Sequence, residues 1–381
     1  MDFKLTERDI LLQRSIREFA EKEIPPRMDT MEETGEFPLD LLKGLADMGI
    51  LGVITPKEYG GAGLGHLARI LVLEQLGRVS PAMPMALQVH HMCTYALTNF
   101  GSEEQKKKYL PPLSKGEELG VVAVTEPSGG SDVAGMKTTA RREGDTFILN
   151  GRKCFITNAH VSNTWIVPAM TGEGRKGMSA FIVEKNFTGA KTGHVEDKVG
   201  LRGANTGELV FQDCEVPAEN LIGGEGNGMA VALGTIGNCG RPGMACVGLG
   251  ILNAVIEEAV KFATERELYG KPISNLQAIQ WYITEIFSDL EIARLLAYRA
   301  GWMLDNNIPA DTACTLAKQW ICEAAARSAR KAVEIHGSYG ILKEYPIQRL
   351  MRDALVAIPA GGTAEIAKLV LSRVAIKEYQ K

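Results

Sequence analysis

Two adjacent histidines, His90 and His91, stand in the run Gln88-Val89-His90-His91-Met92-Cys93. A neutral imidazole titrates near pH ~6.5 and can accept a proton at neutral pH. Successive helix positions point in different directions, so at most one ring can serve a given site. The alternative is one ring satisfied in the core and the other at the surface. A second element with chemical potential is Val124-Thr125-Glu126-Pro127-Ser128-Gly129-Gly130-Ser131-Asp132, which follows the apolar run Gly120–Val124. Its glycines let backbone approach a flat ring closely, while hydroxyl and N–H groups bond the polar edge of such a ring. An ordinary Gly-Ser turn closed by an aspartate is the competing reading. Arg266 could neutralise a phosphate, although by itself it reads as a surface residue near a helix C-terminus.

Composition removes several function classes. The 381 residues carry a net charge of -4 with 45% hydrophobic and 23% charged residues, the balance of an average soluble globular protein. Nothing in that charge calls for nucleic acid. No apolar run reaches the roughly 18 residues that span a bilayer, and no basic-then-apolar leader opens the sequence, so neither membrane insertion nor secretion is expected. The seven cysteines (93, 154, 214, 239, 246, 314 and 322) have no CxxC spacing, and their odd number argues against a full disulfide framework. They read as buried thiols in a reducing cytoplasm. The six histidines form no HxxxH or HExxH pattern, so no metal site is expected. Gly60–Gly65 imitates a dinucleotide fingerprint without a surrounding βαβ unit, and Gly248-Leu249-Gly250 reads as close helix packing.

The elements that must position these residues fall into three regimes, taken as domains 1–115, 116–225 and 226–381. The first is helical. Thr6 and Asp9 form a start signal, Ile10, Leu12, Ile16, Phe19 and Ile24 an approximate stripe, and Pro25-Pro26 a stop. A second helix is expected over 38–48, ending at Gly49. The middle regime carries short apolar or alternating runs (120–124, 146–149, 164–168, 179–183, 208–211) between turn residues, as in a small β-barrel or sandwich. The last returns to helical periodicity, with long helices over 276–306 and 309–335 that point to an antiparallel bundle. Pro309 and Gly337 are their punctuation. The fold class is therefore α+β, with an N-terminal helical domain, a middle β domain and a C-terminal four-helix bundle.

Several motifs in this order resemble the acyl-CoA dehydrogenase family over essentially the whole chain. They are Pro56-Lys-Glu-Tyr-Gly-Gly61, Val124–Asp132, Lys153-Cys-Phe-Ile-Thr-Asn158, Phe211-Gln-Asp-Cys-Glu-Val-Pro217, Arg266-Glu-Leu-Tyr-Gly-Lys271, Arg349-Leu-Met-Arg-Asp-Ala354 and Ala360-Gly-Gly-Thr-Ala-Glu-Ile366. The resemblance implies FAD, a CoA-thioester substrate, an electron-transfer flavoprotein as redox partner and a cytoplasmic homotetramer. It places Val124, Thr125, Ser131, Phe155, Ile156 and Thr157 around the flavin ring. Arg266 and Gln277 fall where a neighbouring subunit reaches FAD. Glu334 and Gly337 lie in a loop at the adenosine half, where Glu334 replaces a glutamine and Ser338 a glycine. Thr363 and Glu365 are cofactor-proximal, and Ser131, Asn238, Arg241 and Gly362 are on the substrate side.

The resemblance also marks a gap. In most of the family the residue two before Thr363 is the glutamate that removes the substrate's α-proton, and in a subset it is the residue before Arg241. Here these positions are Gly361 and Gly240. Glycine accepts no proton, and a positioned base contributes about 10²- to 10⁴-fold. His91, then His90, are the replacements expected on the N-terminal wall. The leading expectation is an FAD-dependent acyl-CoA oxidoreductase, working in either direction on an unusual, cyclic or conjugated thioester. A desulfinase-like elimination enzyme and an inactive partner subunit are the alternatives.

Overall fold

The Thr6 hydroxyl accepts the Asp9 backbone N–H at 3.2 Å, while the Asp9 carboxylate accepts from the Thr6 N–H and O–H. This capping box starts the first helix where the sequence places it. The computed structural model describes residues 4–380. The N-terminal helices are α1 (Glu7–Glu23), α2 (Met28–Thr34), α3 (Leu39–Asp47), α4 (His66–Val79), α5 (Ala82–Phe100) and α6 (Glu103–Ser114). Pro25 begins a short 3-10 turn that ends α1, and Gly49, at φ 74°, follows α3 as expected. Every residue of α4 from Ala68 to Gly77 is buried, so this helix lies inside the molecule rather than on it.

Eight strands follow: β1 (Gly120–Val122), β2 (Thr139–Glu143), β3 (Thr146–Thr157), β4 (Thr164–Met170), β5 (Met178–Glu184), β6 (Ala190–Val195), β7 (Thr206–Pro217) and β8 (Leu221–Ile222). They form one mixed sheet in the order β6-β7-β3-β2-β4-β5-β8, with β1 on β4. The β1–β4 and β2–β4 pairs are parallel and the remaining pairs in this sheet antiparallel. Phe147, Leu149, Trp165, Phe181 and Phe211 fill its core. The exposed faces of β2 and β6 are polar, which is why no apolar run marks these strands.

The chain then enters α7 (Gly228–Thr235), a π-helical turn (Ile236–Gly240), α8 (Arg241–Glu265) and a small hairpin, β9 (Glu267–Leu268) and β10 (Lys271–Pro272). It continues through α9 (Gln277–Asp305), α10 (Asp311–His336), α11 (Ile347–Ala357) and α12 (Ala364–Tyr379). Here α10 begins at Asp311 with Ala310 as its cap, so Pro309 precedes the helix rather than starting it. The segment Gly228–Glu265 is long and apolar enough to cross a membrane, but 78% of its most apolar window is buried against other helices. It is a core helix. A Cβ on Gly250 would lie 2.5 Å from the Gly77 Cα, so α4 and α8 touch backbone to backbone. The C-terminal bundle therefore includes a helix from the N-terminal region.

The Arg349–Ala354 motif joins all three regions. Buried Asp353 accepts the Leu201 N–H at 2.5 Å, and Arg352 donates to the Val199 carbonyl at 2.7 Å. Arg352 also pairs with Glu32 at 2.6 Å, while Arg202 donates to the Glu32 carbonyl at 2.5 Å. Burial pushes the Asp353 carboxyl from its ordinary 3.8 up to about 6, against the opposing pull of the Leu201 N–H. Between those values the folded state holds more protons than the unfolded one, so this group's contribution falls as pH rises from about 4 to about 6. Asp353→Asn keeps the acceptor and should flatten that part of the thermal-midpoint profile. A variant whose profile between pH 4 and 7 parallels the wild type would refute the assignment.

Candidate active site

The ladder between β3 and β7 breaks between Lys153 and Ile156. In this bulge the Cys154 N–H donates to the Thr125 carbonyl at 2.9 Å, strapping the Val124–Asp132 loop to the strand. Phe155 follows at φ 57° with 64% of its surface exposed, while Ile156 and Thr157 are buried. A bulky residue with positive φ is an outlier costing about 1–3 kcal/mol, and such strain clusters at functional sites. Thr125 and Val124 are half-buried and Ser131 is exposed. A Cβ on Gly129 would meet nothing within 4 Å. The result is an open aromatic and backbone platform.

Its foundation is an ion pair that the sequence reading did not single out. Buried Glu126 accepts Lys153 Nζ at 2.8 Å, the Lys137 N–H at 2.6 Å and the Thr138 N–H at 3.0 Å. Burial works against the Glu126 carboxylate, but the bonds from Lys153 and Thr138 outweigh it and hold the group down to about 2. Burial lowers Lys153 to about 8, with Glu126 opposing. Neither residue announces its partner in the sequence, because 27 positions separate them.

A second group lies where α7 meets α8. π-Helical turns recur at functional sites, and this one carries Asn238 and Gly240. Asn238 lines a cavity of about 440 Å³ with His66, Tyr95 and Asp311. Half-buried Arg241 donates to the Thr315 hydroxyl at 2.8 Å. A Cβ on buried Gly240 would lie 3.1 Å from Met92 Cε. On Gly361, at φ +67°, it would lie 2.7 Å from Met244 Cγ. Buried Lys318 pins the Gly361 turn by donating to the Ile358 and Gly362 carbonyls, both at 2.6 Å. Thr363 caps α12 through the Ile366 N–H at 3.3 Å, and Glu365 is exposed in its first turn.

Both histidine expectations are corrected. His91 is fully buried; its Nδ1 accepts Arg69 Nε at 3.2 Å, and its Nε2 lies 2.9 Å from the Ile50 carbonyl. The carbonyl requires the proton on Nε2, so Arg69 occupies the ring's lone pair. Burial first, then the Arg69 charge, holds His91 well below its ordinary value. His90 is equally buried, with Nδ1 accepting the Gly120 N–H at 3.2 Å. Burial lowers it to about 4. Both rings lie in the core, and neither has a lone pair free for substrate.

The remaining predicted residues gather at one end of the bundle. Arg266 lies over the Tyr339 ring at 5.5 Å, which joins it to the turn that begins at Gly337. Glu334 is exposed and pairs with Arg330 at 3.2 Å, so its carboxylate is not left without a counter-charge. Gln277 is exposed at the first position of α9.

Residues 6–117, 121–214 and 226–376 match the N-terminal, middle and C-terminal domains of acyl-CoA dehydrogenases. The chain belongs to the acyl-CoA dehydrogenase family. It is 41% identical to an acyl-CoA dehydrogenase of Bacillus subtilis (strain 168), covering 97% of this chain and 98% of that one. It is 37% identical to the caffeyl-CoA reductase-Etf complex subunit CarC of Acetobacterium woodii, covering 98% and 99%. The fold superposes on butyryl-CoA dehydrogenase from Megasphaera elsdenii with a TM-score of 0.96 and 36% identity, covering 99% and 100%. The order helical domain, β domain, helical domain read from the sequence is thus the family's, with the β domain built as one mixed sheet.

This family member is a CoA-thioester oxidoreductase acting on a CH–CH bond, and FAD is its cofactor. The Phe155 platform with the Gly129–Gly130 loop fits the ring of such a group. Lys153→Met should leave Glu126 buried without its cation, at a cost of roughly 3–5 kcal/mol. Glu126→Gln in the same chain removes the unpaired charge and keeps an oxygen acceptor beside the Lys137 and Thr138 N–H groups, so it should recover part of that loss. Denaturant unfolding checks both, and a stable single variant would show that the pair does not anchor the platform.

Proposed function

We propose that this protein reduces an unusual 2-enoyl-CoA thioester, with no side-chain base at the substrate α-carbon. The observation that carries the reading is the pair of glycines at 240 and 361, each closely packed by a methionine, together with the two histidines whose lone pairs are engaged. FAD held by the Val124–Asp132 loop and Phe155–Thr157 would supply hydride transfer at the substrate β-carbon. In the oxidative direction the weakly acidic α-proton needs a positioned acceptor, worth about 10²- to 10⁴-fold. In the reductive direction the α-carbon gains a proton, which water can supply. The CarC subunit named above belongs to a reductase, in keeping with this direction.

In this reading Val124, Thr125, Ser131, Phe155, Ile156 and Thr157 hold the flavin, with Thr363 and Glu365 beside it. Arg266, Gln277, Glu334 and Gly337 serve the nucleotide half across a subunit boundary. Ser131, Asn238, Arg241 and Gly362 face the thioester. Gly361 and Ala360 remove bulk beside the flavin, which favours a branched or ring-shaped acyl group. An electron-transfer flavoprotein is the proposed redox partner, in line with CarC's place in an Etf complex. A homotetramer would cover Trp281, Ile292 and Leu295, which lie on one side of α9 and are 60%, 43% and 55% exposed in the protomer.

Deuterium exchange tests the missing base. In D2O, the oxidised FAD-loaded protein should leave the α-protons of saturated acyl-CoA thioesters unexchanged, while enoyl-CoA reoxidises its dithionite-reduced flavin. Mass-spectrometric wash-in of deuterium at the α-carbon, catalysed by the oxidised protein, would overturn the proposal. Product formed from a β-substituted thioester without any electron acceptor would favour the elimination reading instead.

A further inference from the structure

The buried face of α4 carries one arginine that makes no ion pair among the described residues. Arg69 is 0% exposed, and its Nε donates to His91. Its Nη1 and Nη2 have no acceptor among the described residues. A buried cation with two unmet donor groups is costly, and native interiors avoid it unless something fills the gap. Beside it, Gln88 is 3% exposed, and its Oε1 also lacks a partner. The Gln88 amide nitrogen reaches only the sulfurs of Met85 and Met244, at 4.0 and 3.7 Å.

The surroundings are built around this guanidinium. A Cβ on Gly243 would lie 2.6 Å from Arg69 Nη2 and 2.9 Å from Gln88 Oε1, so only glycine fits there. The next residue, Met244, is the one that crowds Gly361, and Met92 crowds Gly240. A line of contacts therefore runs from Gly361 through Met244 and Gln88 to Arg69. Methionine is unbranched and repacks readily, so these side chains can yield to a ligand.

We propose that Arg69 and Gln88 form an acyl-tail subsite for a small anionic group, carboxylate or sulfinate, at the far end of a short acyl chain. This deepens the reading under Proposed function and rests on it. The paired Nη groups match the two oxygens of either anion, and a planar fork is suited to such bidentate contact. The Gln88 amide, whose oxygen and nitrogen can exchange places by a half-turn, donates to the same group. An anion both neutralises the buried charge and meets its donors. A water molecule would meet the donors alone.

The test is flavin-band titration of the FAD-loaded protein with glutaryl-CoA, 3-sulfinopropanoyl-CoA and uncharged pentanoyl-CoA. At least one charged thioester should bind about 10²-fold more tightly than pentanoyl-CoA, and the two charged probes distinguish carboxylate from sulfinate. Arg69→Met should erase that preference while leaving pentanoyl-CoA affinity within a few-fold. A merely structural arginine would weaken charged and uncharged ligands alike. If Arg69→Met does not retain FAD, Arg69→Lys is read instead: it keeps the charge but loses the fork, so the preference should fall at least tenfold. Equal affinities in the wild type, or a preference that survives the variant tested, overturn the subsite alone. Failure of all three thioesters to perturb the flavin overturns the subsite alone if an enoyl-CoA still reoxidises the reduced flavin, and the proposed reductase function with it if none does.

Discussion

The close contact between α4 and α8 is the constraint on which the site depends. Gly77 and Gly250 bring the two backbones together, and no side chain larger than hydrogen would permit that approach. Gly248 brings α8 close to Ile321 and Cys322 on α10. With α8 fixed on both sides, its N-terminal turn has one place to go. That turn delivers Asn238, Gly240 and Arg241 to α5 and α10, and it holds Met244 under the Gly361 turn. A shift of α8 by one residue would rotate all of these away together.

Three buried cations show how differently the fold treats charge. Lys153 is matched by a carboxylate and ties the glycine-rich loop to its strand. Lys318 is matched by two carbonyls and fixes the turn before α12. These two cations stabilise local geometry because every strong bond they can make with a neighbour replaces one lost to water. Arg69 is different: one nitrogen is satisfied and two are not. Local rules are broken most often at functional positions, and the strained Phe155 backbone is a second such break.

Much of the architecture was legible from local chemistry. Thr6 with Asp9, Gly49 and Gly337 mark helix ends that depend on nearby backbone groups, so their signals are local and were read correctly. Strands with one apolar face were equally visible. β2 and β6 were not, since β2 shows water mostly polar side chains and β6 is barely buried. Pro309 misled by two residues because a proline tolerated at a first helical position is tolerated just before it too. The family motifs also sit within short stretches, which is why the family could be recognised from the sequence.

The sequence by itself determined the family, the helix–sheet–helix order and the absence of a carboxylate at positions 240 and 361. It could not determine what stands in that space. His90 and His91 looked available because imidazole is a competent base, yet availability depends on which neighbours engage the ring nitrogens. Those neighbours, Arg69, Ile50 and Gly120, are 22, 41 and 30 residues away along the chain. Likewise Arg69 is one polar letter in an apolar helix until packing encloses it. Burial and hydrogen-bond partnership are properties of the assembled core, set by contacts between distant segments, and only the tertiary structure decides them.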